Sequence, residues 1–216
     1  MQWTDDQRKV LEVVQDGLLS PDGCRILVTG AAGTGKSAVL KELCRIAKNK
    51  RLEPIRLAPS GVAAMSGRQG FPNCNSYAIR EQLMAIEEQG LKPMFLIDEA
   101  SMISGTMLTA LSSALQETGK VNNGVAFGGH SVIMFGDFGQ LGPINKAIET
   151  TDWVWKSDVY RSFQRLDLLQ ACRQSGDSGF KLMLDHIRSG EVSAAMVSVF
   201  LEIYDASKQA PEDAVH

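Results

Sequence analysis

The chain has 216 residues, of which 44% are hydrophobic and 22% charged, enough for one sizeable α/β core and unlike a disordered or fibrous chain. A net charge of −3 excludes a globally basic nucleic-acid coat, so any contact with a polyanion must be local. No run approaches the roughly 20 apolar residues of a membrane span, and the polar start MQWTDDQRKV lacks a signal core, which predicts an intracellular protein without choosing among nucleus, mitochondrion and bacterial or viral cytoplasm.

In chain order, Thr4 followed by Gln7 makes a capping-box pattern and predicts a helix carrying Val10, Leu11, Val13 and Val14. Apolar runs of strand length then alternate with stretches of helical period, the pattern of a parallel sheet with crossover helices. The predicted strands are Arg25–Thr29, Pro54–Ala58, Met94–Ile97, Ser131–Phe135 and Gln164–Leu168. Helices are expected near Lys36–Lys48, Ser76–Glu88, Thr106–Glu117, Gly179–Ser189 and Ala194–Tyr204. Gly119–Gly129 reads as a surface loop, and Asp205–His216 as a polar tail after one domain spanning 1–204. Cys24, Cys44, Cys74 and Cys172 are scattered singly, which suggests neither a structural metal nor a disulfide framework.

The strand RILVTG runs into GAAGTGKS at Gly30–Ser37, which matches the phosphate loop G-x-x-x-x-G-K-[ST] with a helix-forming sequence directly after it. Gly30, Gly33, Thr34 and Gly35 let backbone N–H groups and a helix N-terminus face phosphates, Lys36 reaches the β and γ oxygens, and the Ser37 hydroxyl ligates Mg2+. These residues predict ATP and Mg2+ as ligands. The strand Met94–Ile97 ends in Asp98 and Glu99, so Asp98 is placed to hold the magnesium hydration shell and Glu99 to polarise an attacking water. A third strand leads into GDFGQLGPI, which puts Gln140 at the same sheet edge, where in a motor an amide can sense the γ-phosphate; taken alone, the segment reads as a structural Gly-Pro turn.

Taken together, these segments closely resemble the first RecA-like domain of the Pif family of superfamily 1B DNA helicases over nearly the whole chain. APSGVAA at Ala58–Ala64, LIDEAS at Leu96–Ser101, FGG and GDFGQLGPI within Phe127–Ile144, and ACRQ at Ala171–Gln174 carry the likeness in order. The resemblance implies a three-layer α/β/α P-loop fold with a mostly parallel central sheet. It also implies that Gln7 reads adenine and that Arg173, with Gln140, approaches the γ-phosphate during DNA-dependent ATP hydrolysis. Single-stranded DNA is the implied partner, held by Pro59, Ser60 and Gly61 and around Asn75 and Ser76. Phe138 offers a face for base stacking, although packing is the commoner fate of such an aromatic.

Three departures from the family pattern bear on the DNA grip. Asn75 replaces a histidine, Leu141-Gly142-Pro143 replaces a Leu-Pro-Pro run, and Met107–Asn123 carries only Lys120 where the family is basic. Gly142 is read here as added backbone freedom. Nothing after Tyr204 matches the second RecA-like lobe, so the chain is expected to need that lobe, in the same or another chain, and to unwind little DNA alone. A nucleotide-binding regulatory module without hydrolysis is the alternative reading, and a small-molecule phosphotransferase is a third.

Overall fold

Thr4 and Gln7 close the expected capping box around the N-terminus of α1 (Asp5–Gly17): the Thr4 hydroxyl accepts from the Gln7 N–H, and the Gln7 side chain accepts from the Thr4 N–H at 3.1 Å. Gln7, Val10, Leu11 and Val14 recur at helical spacing and are buried. The computed structural model describes residues 2–59, 69–70, 76–118, 124–143, 151–170, 186–191 and 193–208. Within them the remaining elements are β1 (Arg25–Gly30), α2 (Lys36–Asn49), β2 (Leu52–Ala58), β3 (Gln69–Gly70), α3 (Ser76–Glu88), β4 (Lys92–Ile97), α4 (Gly105–Thr118), β5 (Ser131–Gly136), β6 (Gln164–Leu168) and α5 (Ala194–Lys208), with short 3-10 turns between.

The six strands form one sheet in the order β3-β2-β4-β5-β1-β6, and every described pairing between its strands is parallel. Alternation along the central strands divides the core into two layers. Ile26, Val28, Met94, Leu96, Ile133 and Phe135 pack with α1 and α2 residues such as Val14, Val39 and Leu43. Leu27, Phe95, Ile97, Val132 and Met134 pack with Leu83 of α3 and Leu108, Leu111 and Leu115 of α4. The result is the expected three-layer sandwich.

Several expectations need correcting. β2 begins at Leu52, because Leu52 pairs with Lys92 and the ladder therefore starts before Pro54. The two-residue strand β3 is too short to leave a periodic signal. Gly119–Gly129 is not wholly a surface loop: Ala126–Gly129 forms a 3-10 turn in which Phe127 and Gly128 are buried. The chain divides into two compact units, Met1–Arg173 and Gln174–His216, where one domain over 1–204 was expected. The described sheet core ends at Leu168 of β6. In the second unit, residues 186–189 are helical and α5 runs on to Lys208, four residues into the stretch read as tail. The rest of the helix expected at Gly179–Ser189 lies outside the described residues. No helix among the described residues is long and apolar enough to cross a membrane.

His130, just before β5, packs edge-on against Phe95 with ring centroids 5.8 Å apart. Burial pushes its imidazole below the ordinary 6.5, against a smaller upward pull from Glu87. The unfolded chain therefore binds more protons than the folded one between the two pKa values. This contribution to stability is complete above about pH 6.5 and is lost as the pH falls toward the depressed folded value. Urea unfolding at pH 7.5 and 5.5 is expected to show that loss, and His130→Phe to reduce it.

Candidate active site

β1 ends at Gly30, and the loop that follows turns on Gly33 (φ 83°) and Gly35 (φ 87°), backbone angles that favour glycine. Gly35 caps α2 with no side-chain hydrogen bond, so the first amides of α2 are not claimed by a capping side chain. Lys36 Nζ donates to the Gly30 carbonyl at 2.6 Å and the Ala31 carbonyl at 3.0 Å, which draws the ammonium across the mouth of the loop. Thr34 is buried; its hydroxyl donates to the Ala31 carbonyl at 2.9 Å, and its carbonyl accepts from Gln7 Nε2 at 2.9 Å. Gln7 thus ties α1 directly to the phosphate loop, while Ser37 is exposed at the first turn of α2.

β4 delivers the acidic pair. Asp98 is buried, its N–H donates to the Leu57 carbonyl at 2.9 Å, and its Oδ1 accepts from the Glu99 N–H at 3.1 Å. Glu99 is half-buried and holds φ 56° and ψ 46°, a left-handed conformation uncommon for a glutamate. Such strain persists where the surroundings enforce it and is concentrated at functional sites.

β5 delivers Asp137 and Gln140. Asp137 is buried; its carboxylate accepts from the Gly139 N–H at 3.0 Å and from Gln140 Nε2 at 3.2 Å, and its carbonyl accepts from the Gln140 N–H at 3.0 Å. The Gln140 amide is therefore held by an acid that sequence reasoning left without a role. Phe138 packs against the core, with its ring 5.7 Å from Trp155, and Trp155 stacks on Trp153 at 4.7 Å. A Cβ added to Gly142 would lie 2.5 Å from the Trp153 ring, so close approach of the indole accounts for a glycine at this position.

β4, β5 and β1 are neighbours in the sheet, so three segments far apart in sequence end at one edge. There a cleft of about 840 Å3 is lined by Gln7, Gly33, Gly35, Lys36, Ser37, Glu99 and Gln140. Asp98 is not among its lining residues. Trp3 and the paired Glu42 and Arg45 also line the cleft, and sequence reasoning missed them; an aromatic two residues before α1 was the available signal. The Arg45 guanidinium, bonded to Glu42, holds that carboxyl below its ordinary value. At the other side of β1, Asp6 accepts from the N–H groups of Leu169 at 2.7 Å and Gln170 at 3.0 Å, fastening the end of β6 to α1. Ser60, Gly61, Asn75 and Arg173 lie outside the described residues; Pro59 is half-buried just after β2, and Ser76 opens α3.

A parallel sheet with a phosphate loop after β1, carboxylates after β4 and an amide after β5 defines a RecA-like P-loop nucleotide-binding domain. Residues 2–197 match the family model described as PIF1-like helicase, and the chain belongs to that family. It is similar to the ATP-dependent DNA helicase PIF1 of Emericella nidulans, at 28% identity over 91% of this chain and 28% of that protein. Against Pif1 of Bdellovibrio bacteriovorus the identity is 30%, over 79% of this chain and 41% of the relative. Its fold matches Pif1 helicase from Bacteroides, solved in complex with ADP-AlF3 and single-stranded DNA, with a TM-score of 0.74 and 26% identity over 92% of this chain and 49% of that one. Pif1 helicase from Candida albicans matches with a TM-score of 0.74 and 26% identity over 93% of this chain and 47% of that one. The chain spans about half the length of these solved relatives, and 28% and 41% of the two curated ones.

Proposed function

We propose that these residues form the ATP- and magnesium-binding first motor lobe of a 5′-to-3′ DNA helicase whose hydrolysis is stimulated by single-stranded DNA. The observation that carries the reading is the single cleft in which the phosphate loop, Glu99 and the Asp137-held Gln140 meet. Lys36 exchanges the two loop carbonyls for phosphate oxygens, and the amides of the loop and of α2 complete the cradle. Glu99 takes the proton of the attacking water. As the new O–P bond forms, the bond from the γ-phosphorus to its bridging oxygen breaks, and its electron pair leaves on ADP.

The donor set fits magnesium. Among the described residues no group of three or more His, Cys, Asp or Glu is gathered to cage a metal. Mg2+ ordinarily keeps several waters and takes one or two carboxylates with substrate phosphates, a set that the Ser37 hydroxyl and Asp98 would supply here. When bound, it neutralises charge developing on the phosphoryl oxygens.

Gln7 would read adenine at the end of the cleft while anchoring Thr34 of the phosphate loop. Gln140 would report the γ-phosphate, and Arg173 would spread its charge. Pro59, Ser60, Gly61, Asn75 and Ser76 would grip DNA phosphates without reading sequence. A second RecA-like lobe completes the site in the working motor, so these residues by themselves are expected to unwind little or no duplex. ATP turnover measured with and without single-stranded DNA tests the reading. Slow turnover is expected from these residues alone and stimulation by DNA once the second lobe is joined to them, whereas turnover that depends on a small metabolite and ignores DNA would contradict it.

A further inference from the structure

Along the strand order β4-β5-β1-β6, the cleft of the phosphate loop has two distinct ends. Glu99 follows β4 and Gln140 follows β5, so the reacting end lies to one side of the loop after β1. α1 lies to the other side, where Asp6 is fastened to the backbone just after β6 and Gln7 to Thr34 of the loop. A nucleotide whose terminal phosphate meets Glu99 and Gln140 therefore carries its base toward the start of α1. Trp3 stands there and lines the cleft together with Gln7, Lys41 and Arg45.

Two observations set Trp3 apart from ordinary packing. It precedes the N-cap Thr4, a position from which an apolar side chain usually staples onto an apolar fourth residue of the helix. Here that residue is Arg8, whose Nη1 donates to the Trp3 carbonyl at 3.0 Å. The indole also packs against the core layer of α1 and α2 without being buried in it, and part of it is open to the cleft. An aromatic braced on the protein and open to a nucleotide cleft offers a face to a base, because every base has a π surface. Thr4 fixes its place: the Thr4 N–H donates to Gln7 Oε1 at 3.1 Å, and Gln7 is itself tied to the loop.

We propose that Trp3 is the stacking platform for the base of the bound nucleotide. This rests on reading the cleft as a nucleotide site. The indole adds affinity for the base without choosing among bases, and leaves the phosphates to the loop.

The test titrates wild type, Trp3→Phe and Trp3→Leu with magnesium and either ADP or pyrophosphate, which shares the diphosphate and lacks the adenosine. Calorimetry reads affinity, and tryptophan fluorescence reads the indole. Both substitutions fill space against the core, and only phenylalanine keeps a ring face. Trp3→Leu is expected to bind ADP about tenfold more weakly than wild type and Trp3→Phe within about threefold, while both bind pyrophosphate within about twofold. ADP should quench the fluorescence of wild type, and should bind Trp3→Phe, which retains Trp153 and Trp155, without that quench. Equal losses for ADP and pyrophosphate would assign Trp3 to the shape of the phosphate loop and overturn the proposal. So would ADP binding by Trp3→Leu at wild-type strength, a loss in Trp3→Phe as large as in Trp3→Leu, or a wild-type chain that binds ADP with no change in fluorescence or no more tightly than pyrophosphate. A wild-type chain that binds neither ligand would instead sink the nucleotide-binding reading, and this proposal with it.

Discussion

Glu99→Gln is expected to lower ATP turnover by about a hundredfold or more while nucleotide affinity stays within about twofold. Glutamine keeps the shape of the side chain and removes its capacity to take a proton. The backbone of Glu99 is held at φ 56° by the turn that follows, where its carbonyl accepts from the Met102 N–H at 3.0 Å, and the substitution leaves those bonds in place. Phosphate binding rests on Lys36 and the glycine loop, which the variant does not touch. A fall in turnover with unchanged affinity therefore assigns Glu99 to the chemical step. Equal losses in both would place it in ground-state binding and would contradict the account.

Phe127→Ala should cost the folded chain about 3–5 kcal/mol, a large share of the stability of an ordinary domain. The side chain is fully buried, meets Phe163 edge-on at a centroid distance of 5.6 Å, and lies in the core layer with Leu111 and Leu115 of α4. Its N–H donates to the Ser112 hydroxyl at 3.0 Å, and that bond survives the substitution. Alanine also inherits the left-handed backbone at φ 58° without the ring that compensates for it. Chemical denaturation measures the difference; a loss below about 1 kcal/mol would mean that the ring is not a core element.

Much of this molecule is legible in the sequence because its signals are local. The strand-loop-helix at Arg25–Lys48 carries its period, its glycines and its lysine in one stretch, and the capping box at Thr4 and Gln7 is three residues long. What escaped depends on contacts distant in sequence. Phe127 sits among glycines and asparagines, so its neighbourhood reads as loop, yet α4 and Phe163 bury it. The reason for Gly142 is an indole eleven positions away. Asp137 looked like spacing within a motif until its carboxylate was found on Gln140. The left-handed turn at Glu99 has no sequence signal, because glutamate does not advertise positive φ as glycine or asparagine does.

The central claim is that ATP is held at Gly30–Ser37 by Lys36 and the amides around it. Titration of a fluorescent ATP analogue with Mg2+ into wild type and Lys36→Ala tests it most directly, with thermal unfolding run on both. Saturable binding by wild type is expected, together with binding at least about tenfold weaker in the variant, because a charged hydrogen bond contributes roughly 1.5–3 kcal/mol. The unfolding midpoints should agree closely, since Lys36 lies outside both core layers. Equal affinity in the two proteins would contradict the account.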